Sequence, residues 1–454
     1  MKIKSLILAA GEGKRMKSGT PKVLHSLCGR PMVEWAIGAV SELDATPTVV
    51  VGHGREIIVK ALEGRGLSFA VQAEQKGTGH AVMMARSEVE SAECILITCG
   101  DMPLVKPETV KKLVECVTER KQDAAVLYTV ADDPTGYGRI VRDDYGDVKR
   151  IVEHRDASEE QRAIREVNAG AYCFQKDKLL FALDRLDCNN DQKEYYLTDA
   201  IAIIAGMSGK VAGVRGEPEE GMGVNDRWQL AQAAAVLRRR INRGHMLEGV
   251  TILDPENTHI DWDVTIGRDT VIYPGNVLEA GSAIGENCVL LPNNRIVKST
   301  VGNGTEVASS VLTSAAVGEA CHVGPFAYLR PGSRVGNHIK IGDFVEIKNS
   351  NIGDGTKISH LTYVGDADVG KDVNLSCGVV FSNYDGRNKY RTIVEDGAFI
   401  GCNTNLVAPV KVGKNGYTAA GSTITEDVPE DALAIARARQ TNKEGWVAKR
   451  RKGE

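Results

Sequence analysis

The sequence predicts two folds in one chain of 454 residues: an α/β domain with a mostly parallel sheet, followed by a parallel β-helix of hexapeptide repeats. In the first half, strand-like apolar runs alternate with helical patterns, which is typical of a parallel sheet covered by helices on both faces. In the second half, aliphatic residues recur at every sixth position. Neither an α-helix nor a half-buried strand has that period, whereas a hexapeptide β-helix does.

The α/β pattern extends from residue 1 to about residue 225. Its clearest elements are a strand at 3–8, a helix at 31–40, a strand at 48–51 and a buried strand at 95–98. The first strand runs directly into a glycine-rich loop, and the last one ends at Gly100 and Asp101. Ligands of such sheets bind at the carboxyl ends of the strands. We therefore expect a site that includes the first loop and Asp101.

A helix is predicted to link the two folds within residues 226–249. Apolar residues recur there at helical spacing, and Asn225 or Asp226 can cap the first turn. These apolar residues are Leu230, Ala234, Leu237 and Ile241.

Hexapeptide repeats extend from about residue 250 to 428, which at about 18 residues per three-sided coil makes roughly nine or ten coils. The first ladder of inward-pointing residues is Ile266, Ile272, Leu278, Ile284, Leu290 and Ile296. Small residues are needed at the corners, and we expect the glycines that directly follow ladder positions to form tight bends there. These glycines are Gly267, Gly285, Gly318, Gly324, Gly336, Gly342, Gly353, Gly401 and Gly413.

One segment of the second half breaks the six-residue phase. Residues 382–391 are too polar to continue a coil wall, so we expect them to project as a loop, where function often resides. The chain after Pro429 has no hexapeptide phase, and residues 429–454 are expected to form a charged tail over the last coil.

Composition restricts the possible classes of protein. A net charge of -4 does not favour non-specific nucleic-acid binding, which depends on a basic excess. The ten cysteines include no CxxC pair, which favours reduced thiols in a cytoplasmic protein. The N-terminal apolar run is too short for a secretion signal, and no run approaches the roughly 20 apolar residues of a membrane span. We expect a cytoplasmic protein without membrane insertion.

The loop from Leu8 to Met16 is the first candidate site. Its small residues let backbone N–H groups approach a phosphate, and Lys14 and Arg15 can offset the charge. The spacing fits neither a Walker A loop nor the dinucleotide-binding fingerprint, and a plain tight turn remains an alternative for the loop alone. Asp101 occupies the position of a carboxylate that holds Mg²⁺ against substrate phosphates, although it could also be a turn residue ahead of Pro103.

His360 marks the second candidate site. It follows the ladder residue Ile358 by two positions and therefore lies off the interior of the coil. A lone histidine in a coil is usually a surface or packing residue, but polar residues one coil away stack about 4.8 Å apart and can converge on it. Arg330 and Lys348 suit a sugar phosphate, and a histidine suits removal of a proton from an attacking amine.

Seven segments carry a resemblance to a known family. They are LAAGEGKRM (8–16), PKVLH (21–25), QAEQKGTGHA (72–81), Gly100-Asp101, DDPTGYGRI (132–140), IVEHRDA (151–157) and EYYLTD (194–199). Together they resemble the nucleotidyltransferases that make nucleoside-diphosphate sugars. With the β-helix, the chain from residue 3 to about 447 resembles the bifunctional bacterial enzymes that unite an N-acetylglucosamine-1-phosphate uridylyltransferase with a glucosamine-1-phosphate N-acetyltransferase.

The resemblance implies a Rossmann-like uridylyltransferase domain with Mg²⁺ as its cofactor and UTP as a substrate. It implies Arg15 and Lys22 as catalytic residues that meet the phosphates, and Asp101 and Asn225 as metal ligands. The residues implied to bind UTP or the UDP-sugar are Leu8, Ala9, Ala10, Gly11, Lys22, Gln72, Gly77, Thr78, Gly138, Glu153, Asn168 and Asn225.

For the second half, the resemblance implies a left-handed β-helix, a homotrimer and acetyl-CoA as a substrate. His360 would be the general base on the glucosamine amine. The residues implied to bind glucosamine-1-phosphate are Arg330, Lys348, Tyr363 and Asn374. Those implied to bind acetyl-CoA are Cys377, Asn383, Tyr384, Cys402, Ala420 and Arg437.

The favoured function is therefore UDP-N-acetylglucosamine synthesis at two sites, which supplies peptidoglycan and lipopolysaccharide precursors. One alternative is a single-activity sugar-1-phosphate nucleotidyltransferase with a structural β-helix. Another is a non-catalytic scaffold that has both folds. The polar set around His360 argues against the first alternative, and Asp101, Lys22 and Asn225 argue against the second.

Overall fold

The computed structural model describes residues 2–451, which divide into two compact units with the boundary between Leu237 and Arg238. This boundary falls within the helix Arg227–Leu247, at the place where a linking helix is expected. The helix starts after Asp226, whose side chain accepts a hydrogen bond from the backbone of Gln229 at 2.9 Å.

The first unit alternates strands and helices. Its strands are β1 (Ile3–Ala9), β2 (Ser26–Leu27), β3 (Arg30–Pro31), β4 (Thr48–Val51), β5 (Ser68–Val71), β6 (Cys94–Cys99), β7 (Ala124–Val130), β8 (Arg139–Arg142), β9 (Val148–Val152), β10 (Glu166–Gln175) and β11 (Val211–Arg215). Its helices are α1 (Met32–Val40), α2 (Arg55–Ala61), α3 (Thr78–Met84), α4 (Arg86–Val89), α5 (Pro107–Thr118), α6 (Glu159–Arg162), α7 (Lys176–Leu183) and α8 (Asp199–Gly206).

Nine of these strands form one sheet, whose main path has the order β11-β7-β10-β6-β1-β4-β5, whereas β2 and β3 pair with each other in a separate two-stranded sheet. Strands β6, β1, β4 and β5 run parallel, as predicted, whereas β10 is antiparallel to β6 and β7, and β8 and β9 add an antiparallel extension. Leu6 and Ile7 of β1 point to opposite faces of the sheet and join two separate buried clusters. This double burial explains why the central strands are continuous apolar runs.

The second unit is a left-handed parallel β-helix. Its three sheets contain 11, 10 and 9 short strands, in agreement with the predicted nine or ten coils. The first sheet contains Thr251–Ile252, Val271–Ile272, Val289–Leu290, Glu306–Val307, His322–Val323, Lys340–Asp343, Lys357–His360, Asn374–Leu375, Phe399–Ile400, Tyr417–Thr418 and Leu433–Ala434.

The second sheet contains His259–Ile260, Val277–Leu278, Arg295–Val297, Val311–Thr313, Tyr328–Leu329, Glu346–Lys348, Tyr363–Gly365, Val380–Ser382, Asn405–Val407 and Thr423–Ile424. The third contains Thr265–Ile266, Ala283–Ile284, Thr300–Val301, Ala316–Val317, Arg334–Val335, Asn351–Ile352, Ala367–Val369, Thr392–Val394 and Val410–Val412. The predicted ladder residues form one continuous core in this unit, with Ile266 only partly buried at its end.

Most of these glycines directly precede the turn at a corner, as expected, but the left-handed backbone there belongs to another residue. Among the nine, only Gly324 has a positive φ; the left-handed residue usually comes two positions later, as at Asp269 and Asn287. The glycines are needed because consecutive coils stack closely. A Cβ at Gly353 would lie 2.6 Å from the carbonyl carbon of Gly370 in the next coil, which is well inside van der Waals contact.

The interrupted segment forms the expected loop. It leaves the wall after Ser382 and returns at Thr392, where the guanidinium of Arg391 donates two hydrogen bonds to Asp368 at 2.5 and 2.6 Å. The stacking of strands continues past residue 428, because Leu433–Ala434 pairs with Tyr417–Thr418. The helix Trp446–Arg451 follows. Within residues 2–451 there is no helix with the length and apolar character that a membrane crossing requires.

Candidate active sites

The glycine-rich loop of the first unit folds over the side chain of Lys22. Leu8, Ala9 and Ala10 lie at the end of β1, with Ala9 and Ala10 buried, and Gly11 is exposed. At Gly13 the backbone is left-handed, and a Cβ there would lie 2.6 Å from Cβ of Lys22. Only a glycine fits this contact without movement of the loop.

Lys22 joins two residues that come from distant parts of the chain. Its Nζ donates to Oδ2 of Asp101 at 2.5 Å and to Oδ1 of Asn225 at 3.1 Å. Asp101 follows β6, and Asn225 precedes the long helix Arg227–Leu247. The structure therefore brings three of the predicted phosphate and metal residues together.

The oxygen atoms of Asp101 and Asn225 fit a magnesium ion. They already face a single cationic group, the ammonium of Lys22, and Mg²⁺ prefers hard oxygen ligands. Within residues 2–451, no cluster of three or more His, Cys, Asp or Glu side chains is arranged to hold a metal. Such a sparse set is typical of magnesium sites that are completed by water and substrate phosphates.

Cys99 lies beside this cluster, and its thiol is expected to stay protonated and unreactive. Burial, and to a smaller extent the negative charge of Asp101, raises the pKa of the Cys99 thiol to about 12. A neutral thiol is a poor nucleophile and a poor metal ligand. The cluster therefore presents oxygen ligands and an ammonium group, without a thiolate.

Arg15 is the predicted site residue that the structure does not join to this cluster. It lies in the 3-10 turn Lys14–Met16, and its side chain is exposed. Within residues 2–451 its guanidinium has no hydrogen bond or ion pair.

Gln72, Gly77 and Thr78 form one connected edge of the loop region. The side-chain amide of Gln72 is buried and donates to the carbonyl of Gly77 at 3.0 Å. Gly77 has a φ of 100°, and a Cβ there would lie 2.6 Å from the carbonyl oxygen of Tyr195. The Thr78 hydroxyl accepts a hydrogen bond from the Leu197 amide at 3.0 Å. These contacts fix the start of α3 and leave Thr78 exposed.

The three residues predicted to hold the sugar also converge. The backbone N–H of Asn168 donates to the carbonyl of Gly138 at 2.9 Å, and Oε1 of Glu153 lies 3.5 Å from the position of a Cβ at Gly138. Burial raises the pKa of the Glu153 carboxyl, which accepts a hydrogen bond from the Thr198 hydroxyl at 3.1 Å. A Cβ at Gly138 would also lie 3.0 Å from Cγ2 of Ile151, so a larger residue there would crowd this group.

In the β-helix, His360 belongs to a column of residues at one corner. Each residue of the column stands two positions after a ladder residue of the first sheet, in successive coils. The column is Asp343, His360, Cys377, Cys402 and Ala420. Cys377 is half-buried, and Cys402 is exposed. The side chain of Arg437 reaches Gly421, with its Cδ 3.9 Å from the position of a Cβ there. The structure thus aligns His360 with three of the predicted acetyl-CoA residues, Cys377, Cys402 and Ala420, and places Arg437 beside the end of the column.

A cluster of polar side chains that includes two cations, Arg330 and Lys348, lies on the second sheet beyond this corner. Arg330 and Lys348 follow Leu329 and Ile347, which are register partners in adjacent coils. The guanidinium of Arg330 donates to Glu346 at 2.8 Å. The corner that carries His360 leads directly into the strand Tyr363–Gly365 of the same sheet.

Asp366 organises this polar group from a buried position. Its carboxylate accepts hydrogen bonds from Lys348 Nζ at 3.2 Å, from Asn349 Nδ2 at 2.6 Å and from Asn383 Nδ2. Although burial opposes the shift, these hydrogen bonds lower the pKa of Asp366. The Tyr363 hydroxyl is close by, next to the backbone of Gly365.

Two predicted residues of the second site are held by other contacts. The Asn374 amide lies in the first sheet and donates to the hydroxyl of Ser376 at 3.0 Å. The Tyr384 side chain is 57% exposed, and its hydroxyl donates to the carbonyl of Gly386 in the same loop at 2.7 Å. Tyr384 is thus presented to solvent by the loop 383–391.

Sequence reasoning missed two carboxylates that contact predicted site residues. Asp343 lies 2.5 Å from Nδ1 of His360, and Asp366 contacts Lys348. The signal was present for Asp343, because it precedes His360 by 17 positions, close to one coil. Asp366 follows Gly365 at the next corner, and its importance depends on side-chain directions that spacing does not reveal.

Comparisons with known proteins agree with this architecture. Residues 5–193 match the family model of the MobA-like NTP transferase domain. The "Bifunctional protein GlmU" of Caldanaerobacter subterraneus subsp. tengcongensis is 55% identical over 447 residues, covering 98% of each chain.

The proteins of the same name from Clostridioides difficile and Clostridium beijerinckii are 52% and 50% identical. The matches cover 99% and 98% of this chain and 98% of each relative. Identity at this level over nearly the whole length includes both the α/β unit and the β-helix. The chain belongs to the family of bifunctional GlmU proteins.

Proposed function

We propose that this chain is a bifunctional transferase that makes UDP-N-acetylglucosamine in two steps. The β-helix transfers the acetyl group of acetyl-CoA to glucosamine-1-phosphate. The α/β domain then transfers uridylyl from UTP to N-acetylglucosamine-1-phosphate and releases pyrophosphate. The observation that supports this most is the presence of two separate polar clusters, around Lys22 and around His360, in two compact units of one chain of this family.

In the first step, the amine nitrogen of glucosamine-1-phosphate attacks the carbonyl carbon of the acetyl thioester. His360 accepts the proton that the amine must lose, the new N–C bond forms, and the C–S bond breaks. CoA leaves and is protonated at sulfur. Arg330 and Lys348 bind the phosphate, with Tyr363 and Asn374 beside the sugar. Cys377, Cys402, Ala420, Arg437, Asn383 and Tyr384 contact CoA.

In the second step, a phosphate oxygen of the sugar phosphate attacks the α-phosphorus of UTP, and the bond to the leaving pyrophosphate breaks. Lys22 and Arg15 offset the developing negative charge. Asp101 and Asn225 would hold Mg²⁺, which when bound neutralises phosphate charge and orients the reacting groups. Gln72, Gly77 and Thr78 bind the uracil with the backbone from Leu8 to Gly11, and Gly138, Glu153 and Asn168 bind the sugar.

The single-activity alternative fits the β-helix less well. A coil that served only for assembly would need no cations with buried acidic partners, yet Lys348 is held by Asp366, whose side chain is 10% exposed. Burial of a charged group costs free energy, so a coil with only a structural role would not be expected to contain such a pair. The carboxylate and ammonium at the first cluster likewise argue against a scaffold without catalysis.

The proposal includes the assembly and the location of the enzyme. We propose a homotrimer formed through the β-helix and a cytoplasmic enzyme that acts on small molecules. The free thiols of the described cysteines fit a reducing compartment. Sedimentation velocity should give a species of three chains, and a stable monomer with full acetyl transfer would contradict the trimer.

The proposed function is tested with purified protein, glucosamine-1-phosphate, acetyl-CoA, UTP and Mg²⁺. Free CoA and UDP-N-acetylglucosamine should both appear. Without UTP, CoA release should continue and N-acetylglucosamine-1-phosphate should accumulate. If UDP-N-acetylglucosamine forms only from supplied N-acetylglucosamine-1-phosphate and no CoA is released, the single-activity alternative is correct. If neither product forms under any of these conditions, the scaffold alternative is correct.

A further inference from the structure

Asp343 and His360 occupy equivalent positions in consecutive coils. They are register partners at the ends of two parallel strands, Lys340–Asp343 and Lys357–His360. The rigid stacking of the coils fixes their backbones one above the other, about 4.8 Å apart. Oδ1 of Asp343 lies 2.5 Å from Nδ1 of His360, which is a short, charge-assisted contact.

The protonation states at this contact follow from the chemistry of the two groups. The hydrogen bond with His360 holds the pKa of Asp343 below its usual range, so its carboxyl is ionised at neutral pH. An ionised carboxylate only accepts hydrogen bonds. A neutral His360 must then carry its proton on Nδ1, which leaves the lone pair of Nε2 available as a base.

We propose that Asp343 is a positioning residue for acetyl transfer: it fixes the tautomer and the ring orientation of His360. This inference rests on the proposed function of the β-helix. During the reaction, the proton of the attacking amine moves to Nε2 of His360, while the proton on Nδ1 stays in the hydrogen bond to Asp343. Asp343 neither gains nor loses a proton, and its negative charge stabilises the imidazolium that forms.

The position of Asp343 in the fold explains why it can perform this role. Both side chains remain accessible, with His360 57% and Asp343 38% exposed, so Nε2 of His360 can meet a substrate. The carboxylate contributes little to the stability of the coil corner, because backbone hydrogen bonds between consecutive coils hold that corner. Replacement of this carboxylate should therefore change catalysis much more than stability.

The test uses the nearly isosteric variant Asp343→Asn in the full chain. An asparagine side chain can either donate to or accept from Nδ1, so it no longer fixes one tautomer. We expect kcat for acetyl transfer to fall at least about tenfold, while KM for both substrates stays within about twofold. Uridylyl transfer and the thermal unfolding midpoint of the same preparation should be unchanged.

Asp354→Asn is the matched control. Like Asp343, Asp354 directly follows a glycine and stands two positions after a ladder residue, in this case Ile352 at another corner. Its carboxylate contacts Lys371 at 3.6 Å. Its replacement should leave acetyl transfer unchanged. The tautomer of His360 is read independently from the ¹⁵N signals of the imidazole, assigned by comparison with His360→Gln. The wild type should show a protonated Nδ1, and Asp343→Asn should show a mixture.

The outcomes separate this inference from the proposed function. If wild-type protein releases CoA and Asp343→Asn does so with an equal kcat, or loses no more than Asp354→Asn, the positioning role is refuted while the function stands. An unchanged ¹⁵N pattern in Asp343→Asn would also refute it. If the wild-type protein releases no CoA, both the acetyltransferase function and the positioning role are refuted.

Discussion

Lys22 and Asp101 form an ion pair in which the ammonium nitrogen lies 2.5 Å from Oδ2 of the carboxylate. The lysine side chain is 11% exposed and the aspartate 25% exposed, so the pair is largely sheltered from water. The ammonium also contacts Asn225. The same two oxygens that are proposed to hold Mg²⁺ are therefore kept together by a cation of the protein.

Asp101→Asn removes the negative charge from this cluster but preserves its shape. We expect uridylyl transfer from supplied N-acetylglucosamine-1-phosphate to fall by at least about 10- to 100-fold, because a neutral amide is a weaker metal ligand. Higher Mg²⁺ concentrations should restore part of the rate. Uridylyl transfer at the wild-type rate would remove Asp101 from the proposed metal site.

Asp366→Asn tests the organisation of the sugar-phosphate group. The substitution leaves Lys348 without its ionic partner and weakens the contacts to Asn349 and Asn383. We expect a raised KM for glucosamine-1-phosphate, because Lys348 is no longer held in one position. Thermal unfolding should move to lower temperature, since a partly buried charge loses its partner. An unchanged KM would show that Lys348 does not bind the phosphate.

The two cysteines of the His360 column provide a chemical test of the CoA contacts. A bulky maleimide should inhibit acetyl transfer, and bound acetyl-CoA should protect against inhibition. The double variant Cys377→Ala, Cys402→Ser should resist the reagent. Cys188→Ala is the matched control, since Cys188 is exposed but lies in the other unit, and it should remain sensitive. Equal inhibition of the double variant would assign the effect to other thiols.

Gly353→Ala tests the close stacking of the coils. The added methyl group would lie 2.6 Å from the backbone of the next coil, so we expect the free energy of unfolding to fall by about 1–3 kcal/mol. Gly244→Ala is the control, because a Cβ at this helical position meets no atom within 4 Å. It should leave stability unchanged or slightly raised. Equal stability of the two variants would mean that the coils can separate at low cost.

The sequence predicts the fold well because each of the two folds requires a characteristic pattern of apolar residues along the chain. The ladder from Ile272 to Ile296 is apolar because those side chains fill the coil interior, and β1 is apolar because both of its faces are buried. The antiparallel position of β10 was not predicted, since strand direction depends on connections that apolar patterns do not describe.

The candidate sites were predicted less completely. Lys22, Asp101 and Asn225 were grouped through family resemblance, and the structure brings them into contact. The contact of Asp343 with His360 was missed although their 17-residue interval is close to one coil, because spacing aligns the two backbones and does not reveal which side chains meet. The exposed side chain of Arg15 illustrates the other difficulty: a residue proposed to act only on bound substrate needs no partner within the protein, so contacts within the protein cannot test its role.

The central claim is that two independent sites act in sequence, and one complementation assay tests it most directly. His360→Ala should lose acetyl transfer by about 10²–10⁴-fold and keep uridylyl transfer, because only the general base is removed. Asp101→Asn should show the opposite loss. From glucosamine-1-phosphate, acetyl-CoA and UTP, each variant alone should make little UDP-N-acetylglucosamine, whereas an equal mixture should make it readily, since N-acetylglucosamine-1-phosphate diffuses between molecules. A mixture as inactive as either variant, or the loss of both half-reactions in one folded variant, would contradict the account.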